Sequence, residues 1–372
     1  METRVDMTAR LCATAVLDDD GPMGLDGRYY TDPDWFRHEV DCALRPGWHC
    51  IGRADELPDA GDFLTIDLLG EPLLIVRGDD GVIRALANVC RHRGMPVAEG
   101  KGRAKRFVCS YHAWSYGRDG MLLRAAKMRN TRFEAKGCAL PRWPVQEWAG
   151  FVYVALVEAP GPLDLTPLDA EIGAYDPGAY RVAHVAEEVW RCNWKCLVEN
   201  FMEGYHLSVV HPKTLRGYTP TELCAKGPSG PGFTSYHANY PDDIPARGQG
   251  APGLSTRARH RSTLFSVFPC QVASVAASLL VSLSMRPVAV DRVDVRWTLS
   301  VYGDDLDKDA VAQRVALWTE VNREDREKLE RLQVALGSRH AAAGPLAEED
   351  FEGTIRDFHR WLARQQDVRD FG

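Results

Sequence analysis

Two short stretches of the chain each offer one thiol and one imidazole. Cys90-x-His92 stands in NVCRHRG, and Cys109-x-x-His112 in CSYHAW seventeen residues after His92. A metal centre needs deprotonated thiols and neutral imidazoles held close together, and these two loops supply four such ligands. Zinc is one reading, but zinc fingers and knuckles usually set two cysteines on one side against a histidine-containing pair on the other. Here each loop mixes the two types, and the first has a single intervening residue. The arrangement suits a [2Fe–2S] cluster in which one iron takes Cys90 and Cys109 and the other takes His92 and His112. Imidazoles in place of two anionic thiolates raise the reduction potential, which suits a centre that accepts electrons from a ferredoxin-type donor. Met95, Pro96 and Trp114 stand where they could shield such a cluster from water.

A cluster of this Rieske type moves electrons one at a time, so the electrons need a destination. The stretch CNWKCLVENFMEGYHLSVVHP (Cys192–Pro212) has apolar residues at Trp194, Leu197, Val198, Phe201 and Tyr205, which predicts a buried helix. On a continuous helix Glu199, Glu203 and His206 share one face. His211 lies ~140° round from His206 and can join it only if the helix breaks, a break that Pro212 favours. Two histidines and one carboxylate make a facial triad for iron. The carboxylate could be the local Glu203 or come from a distant helix. Asp309–Leu336 has a helical stripe running Val311, Val315, Trp318, Asn322, Asp325, Leu329, Leu332, Leu336. Asp325 interrupts it with a charge, which is costly on a core-facing stripe unless paired or metal-bound. Asp325 is therefore the third ligand in this reading, and Glu324 falls off the stripe.

Other elements must hold these residues. From Trp48 to Val157 the chain alternates apolar runs (DFLTIDLLG, PLLIVRG, VIRALANV, GFVYVAL) with Gly and Asp-Gly turn signals, which predicts a small all-β unit with the Cys/His loops at hairpin-like tips. The chain has 372 residues, 45% of them hydrophobic and 26% charged, enough for two domains. A net charge of −7 gives no basic field for nucleic acid. No apolar run is long enough for a membrane span, and METRVDMTARLC lacks the apolar core of a secretory signal. Ten scattered cysteines read as thiols in a reducing cytoplasm. Phe201, Tyr205, Tyr236, Tyr240, Phe265 and Phe268 could include an aromatic box for a cation, or be core. Arg247–Ser262 has no periodicity and reads as a mobile loop, which could be a pocket lid, a docking surface for a reductase or a plain solvated loop.

These residues carry a resemblance. The two Cys/His pairs, NWKCLVENFMEGYH with His211 beyond it, and REDREKLERLQ with its carboxylate are similar to the catalytic α subunit of Rieske non-haem iron oxygenases over about residues 40 to 365. The resemblance implies an α+β chain. Residues 1–45 would pack on the catalytic domain, 46–158 would form the Rieske [2Fe–2S] domain, and 159–372 a helix-grip, START-like catalytic domain with a curved antiparallel sheet. STLFSVFPCQVAS, ASLLVSLSMRP and DRVDVRWTLSVYG are suitable strands for that sheet. It implies a mononuclear Fe(II) on His206, His211 and Asp325, with O2 as co-substrate. It also implies an NAD(P)H-dependent flavin/iron–sulfur reductase as electron donor, and a homotrimer in which an acid bridges the two centres across the subunit interface. The family usually has Asp at the bridging position. Here it is Glu203, with one residue fewer after Asn200, which resembles the branch acting on carnitine, choline and glycine betaine. GPLAEEDFEGTIRDFHRWL is also similar to that branch. The implied activity is hydroxylation of a C–H bond in a small quaternary ammonium compound; hydroxylation of an aromatic ring is the alternative.

Overall fold

The computed structural model describes residues 4–16, 21–128, 133–303 and 306–366. The chain forms two compact units, 51–161 and 1–50 with 162–372.

The smaller unit is built on antiparallel hairpins. Its largest sheet has five strands in the order Lys101–Arg103, Asp62–Leu68, Glu71–Arg77, Ile83–Ala87, Arg142–Trp143. Leu68 pairs with Glu71, so Leu69-Gly70 forms a two-residue turn. Both turn residues have positive φ, 52° and 81°, as the twist-matched hairpin turn requires. The run PLLIVR is apolar throughout because both faces of its strand are covered. Leu73 and Ile75 join one core cluster with Ile51, Ile66 and Val154. Leu74 and Val76 face the other way, into a cluster with Phe107, Trp114, Tyr116, Cys90 and Cys109. The two Cys/His loops thus sit on their own apolar core.

The larger unit holds a seven-stranded antiparallel sheet in the order Tyr180–Trp190, Arg292–Tyr302, Leu279–Ala289, Gln271–Ala276, Arg261–Val267, Phe233–Asn239, Cys224–Lys226. The three strand runs named from sequence fall in this sheet. Three helices matter for the site: Trp194–Phe201, Lys308–Leu336 and Glu349–Gln366. The last packs on the sheet edge, where Thr234 Oγ1 donates to Asp357 at 2.8 Å and Lys226 Nζ pairs with the same carboxylate at 2.9 Å. The long helix keeps the expected bounds to within a residue. Its buried stripe is Trp318, Val321, Asn322, Asp325, Leu329 and Gln333, whereas Leu332 is exposed.

The start of the Trp194–Phe201 helix is held with unusual thoroughness. Asn193 caps it, its side chain accepting from Lys195 N at 3.0 Å. The amide of Asn193 donates to Tyr30 O and Val290 O, and its backbone N–H donates to Gln333 of the long helix at 2.8 Å. Lys195 is fully buried, with Nζ 2.7 Å from Glu39 Oε2, and Glu39 also accepts from the indoles of Trp35 and Trp194. Among the described residues no helix is long and apolar enough to cross a membrane.

Candidate functional site

In the smaller unit the two Cys/His loops are conformational copies of one another. The carbonyl of Cys90 accepts from Gly94 N and that of Cys109 accepts from Ala113 N, at 2.9 and 3.0 Å. The N–H of Cys90 donates to Met95 O and that of Cys109 to Trp114 O, at 2.9 and 2.8 Å. In each loop the fourth residue after the cysteine is left-handed, Gly94 at φ 80° and Ala113 at φ 58°. This fold of the backbone buries both thiols and turns both imidazoles outward, with His92 Nδ1 and His112 Nδ1 3.2 Å apart. That is a fit for two nitrogens on one iron beside two thiolates on another. Desolvation and the neighbouring His92 and Arg93 lower the proton affinity of His112, which favours the neutral, ligating form.

Surrounding groups fix the loops further. Trp114 is buried and stacks on His92 at 4.9 Å. Met95 and Pro96 are exposed, whereas Trp114 and Tyr111 pack on the imidazoles, Tyr111 on His112 at 3.9 Å. Tyr116, which sequence reasoning missed, accepts from Arg91 N at 3.0 Å and shares a hydrogen bond with Cys90 Sγ, 3.3 Å away. Burial, then the contact with Cys90, keeps that phenol protonated.

Ala113 is the one strained member of the pair, since its Cβ disfavours the left-handed conformation that Gly94 adopts freely. Ala113→Gly is expected to stabilise the loop by about 0.5–1 kcal/mol after the added chain entropy is counted. The check is the thermal midpoint followed by visible absorption of the cluster; a lowered midpoint would contradict the argument.

In the larger unit the expected continuous helix through His206 is not found. The Trp194–Phe201 helix ends at Met202, and a second short turn runs Leu207–Val210. Gly204 explains the break: an added Cβ there would lie 2.4 Å from Cys224 Sγ, and its N–H donates to Phe351 O. Tyr205 is therefore 57% exposed rather than core. Glu199 does not share a face with Glu203 and His206; it accepts from Tyr30 Oη and His359 Nε2.

The break delivers the ligands. His211 Nε2 lies 3.1 Å and His206 Nε2 3.7 Å from Asp325 Oδ1, and one ligand atom of each lies within 4.8 Å of the others. Glu203 fixes His206, accepting from its Nδ1 and, at 3.0 Å, from its backbone N–H. Glu324 Oε2 does the same for His211 Nδ1 at 2.8 Å and also accepts from Thr214 Oγ1 at 2.6 Å. With both Nδ1 protons given to glutamates, both Nε2 lone pairs point at Asp325. Asp325 Oδ1 is buried with no hydrogen-bond donor. Burial opposes charge on His206, but Glu203 and then Asp325 overcome it and raise its proton affinity. Three converging acceptors of this kind fit a divalent cation of the nitrogen- and oxygen-binding class. Glu324 was set aside from the helical stripe. The signal that could have found it is chemical: a liganding imidazole needs a partner for its other nitrogen.

The other expectations divide. Phe268 packs on Phe358 and Trp361 as core. Tyr240 does form an aromatic face for a cation, but the cation is the protein's own Arg247, 4.0 Å from the Tyr218 ring centre and 5.2 Å from that of Tyr240. The Arg247–Ser262 stretch is not a plain solvated loop, since Ala251, Leu254 and Ala258 are buried and Ser255 caps a short helix.

Comparison with known proteins agrees with this geometry. Residues 47–144 match the Rieske [2Fe-2S] domain, and residues 174–367 match the ring hydroxylating alpha subunit (catalytic domain). The glycine betaine monooxygenase oxygenase subunit of Chromohalobacter salexigens is 34% identical over 224 residues, 55% of this chain and 50% of that protein. The carnitine monooxygenase oxygenase subunit of Escherichia coli is 36% identical over 191 residues, 50% of this chain and 51% of that one. The chain spans about half the length of the curated relatives it matches. Two crystal structures share the fold at a TM-score of 0.84. One is a quaternary ammonium Rieske monooxygenase, 22% identical and covering 99% of both chains. The other is naphthalene 1,2-dioxygenase from Rhodococcus sp., 18% identical and covering 100% of both. The paired loops and the three converging ligands therefore lie within matched domains, and the chain belongs to the family of ring-hydroxylating α subunits, with a Rieske [2Fe–2S] domain preceding the catalytic domain.

Proposed function

We propose that the chain is the terminal oxygenase subunit of a multicomponent Rieske monooxygenase that hydroxylates a C–H bond of a small quaternary ammonium or betaine-like compound. The observation that carries the reading is the triad. Two imidazole nitrogens converge on one orphaned carboxylate oxygen, and each imidazole is held from behind by a glutamate. The names of the relatives support the substrate class. In this reading Cys90, His92, Cys109 and His112 hold the [2Fe–2S] cluster, and His206, His211 and Asp325 hold one Fe(II). When bound, the iron supplies the activation of O2, using electrons that a separate NAD(P)H-dependent flavin/iron–sulfur reductase delivers by way of the cluster.

The chain's own part is positional. Glu203 and Glu324 keep the protons on Nδ1 and so aim the ligating nitrogens. Phe201 and Trp318, from the two helices that carry the site, stack with ring centres 6.4 Å apart. Glu203 is also the bridge toward the neighbouring subunit's cluster in a homotrimer. If the hydroxylated carbon is an N-methyl, the N-hydroxymethyl product loses formaldehyde and leaves the tertiary amine.

The test is product analysis with glycine betaine, carnitine, choline and an aromatic acid in the presence of a matched reductase. One formaldehyde and one demethylated amine per NAD(P)H oxidised are expected from a quaternary ammonium compound. A ring diol from the aromatic acid, with no formaldehyde from any of the others, would replace this reading by ring hydroxylation. Glu203→Gln keeps size but loses charge and one acceptor. That variant should retain both metal contents while single-turnover product falls to a few per cent of wild type, roughly a 2 kcal/mol effect or more; full single-turnover yield would remove Glu203 from the route.

A further inference from the structure

Beside the triad, several buried polar atoms have no hydrogen-bond partner: Asn322 Nδ2, Trp318 Nε1, and Arg247 Nε and Nη2. All are donors. Arg314, Trp318, Asn322 and Asp325 follow one another on the long helix at steps of four, four and three, so they share a face. Along the axis Asn322 lies ~4–5 Å, Trp318 ~10 Å and Arg314 ~16 Å from Asp325. Arg247 and Tyr240 both feel the charge of Arg314. Tyr236 Oη donates to Phe201 O at 3.5 Å, and Tyr240, just past the end of the Phe233–Asn239 strand, faces Arg247.

The guanidinium of Arg247 lies between the faces of Tyr218 and Tyr240, which fix its plane. Nε and Nη2 form one edge of the guanidinium, the edge that matches the two oxygens of a carboxylate. Among the described residues no carboxylate is ion-paired with it, and burial together with the charge of Arg314 works against its protonated form. A buried guanidinium whose Nε and Nη2 have no acceptor of the protein's own is a place where an anion would be compensating.

We propose that Arg247, with Arg314 beside it, is the anion subsite of the substrate pocket, and that it takes the carboxylate of a small extended acid whose other end reaches the His206–His211–Asp325 triad past Asn322 and Trp318. The separation favours a carboxylate several bonds from the oxidised carbon over that of a two-carbon acid. The inference rests on the oxygenase reading for what happens at the triad, and it adds what holds the remote end of the substrate.

The test measures binding by anaerobic calorimetry on the holoenzyme with three ligands of one shape. These are γ-butyrobetaine (cation and anion), its methyl ester (cation only) and 5,5-dimethylhexanoate (anion only, carbon in place of nitrogen). Both carboxylates should bind the wild type at least 10-fold more tightly than the ester relative to their binding to Arg247→Met. That variant should weaken both by about 10- to 100-fold and leave the ester unchanged. Arg247→Lys keeps the charge but not the fork, and should fall between; it decides the matter if the methionine variant does not fold. Equal loss for all three ligands, no loss for either carboxylate, or a lysine variant with undiminished affinity for both would each overturn the proposal. If 5,5-dimethylhexanoate binds as tightly as γ-butyrobetaine and both depend on Arg247, the anion subsite stands and the quaternary ammonium reading fails.

Discussion

Asp325→Ala protein is expected to emerge from purification with its cluster colour intact and its mononuclear iron gone. Asp325 supplies the only anionic ligand of the triad, and its Oδ1 has no hydrogen-bond donor of its own. Removing it leaves two neutral imidazoles, which should weaken Fe(II) binding by roughly 100-fold or more, beyond the ~10–100-fold effect of losing an outer-shell partner. Glu324→Gln is the matched comparison, since Glu324 only orients His211. The metal-free fold should be little harmed, because a buried carboxylate oxygen without a hydrogen-bond donor goes with the side chain. Metal analysis after dialysis, read beside the visible spectrum, decides the point. A variant that keeps one mononuclear iron per chain would move the ligand role away from Asp325, with Glu324 the next candidate.

The second large effect concerns folding. Lys195 is fully buried, and its ammonium meets Glu39 beneath the helix that leads to His206. Lys195→Met leaves Glu39 buried with only two indole donors, which should cost about 3–5 kcal/mol. Burial already raises the proton affinity of Glu39, and Lys195 is the main influence that lowers it again. Without Lys195 the folded-state pKa rises further above the unfolded one, so the folded variant binds the extra proton. Its stability then falls as pH rises through that window, and the loss should be smaller near pH 5 than near pH 8. Adding Glu39→Gln to Lys195→Met should recover most of the loss. Denaturant unfolding followed by tryptophan emission at the two pH values measures this; equal losses in the single and double variants would show that the charge is not the cause.

The sequence was most legible where spacing is local. Cys90, His92, Cys109 and His112 belong to two tight loops, so their chemistry could be read from a few residues. Asp325 could be read because a helical stripe makes one misplaced charge conspicuous. Asp62–Leu68, Glu71–Arg77 and Ile83–Ala87 were legible because their apolar runs end at Gly or Asp-Gly, whereas Tyr180–Trp190, Phe233–Asn239 and Cys224–Lys226 of the seven-stranded sheet were not read. The break at Met202 was not, because the apolar pattern runs on to Tyr205 and the deciding contact, Cys224 against Gly204, comes from a distant strand. Glu324, Tyr116 and Arg247 were missed for the same reason. Each matters through one partner far away in sequence, and none breaks a local rule.

Glu324 and Asp325 are consecutive residues, and consecutive residues on a helix point ~100° apart. In the proposed centre one would serve the metal directly while the other steadies His211 from behind, so both duties would ride on one rigid rod. A rotation or slide of the rod spoils both at once and cannot spoil one alone. The position of the rod is fixed at its other end, where Gln333 grips Asn193 and Tyr30 O. The site therefore has few intermediate states of assembly. Loosening that distant grip should make metal occupancy fall in an all-or-none fashion among molecules, as a mixture of loaded and empty chains, and not as a uniform population holding its metal less tightly.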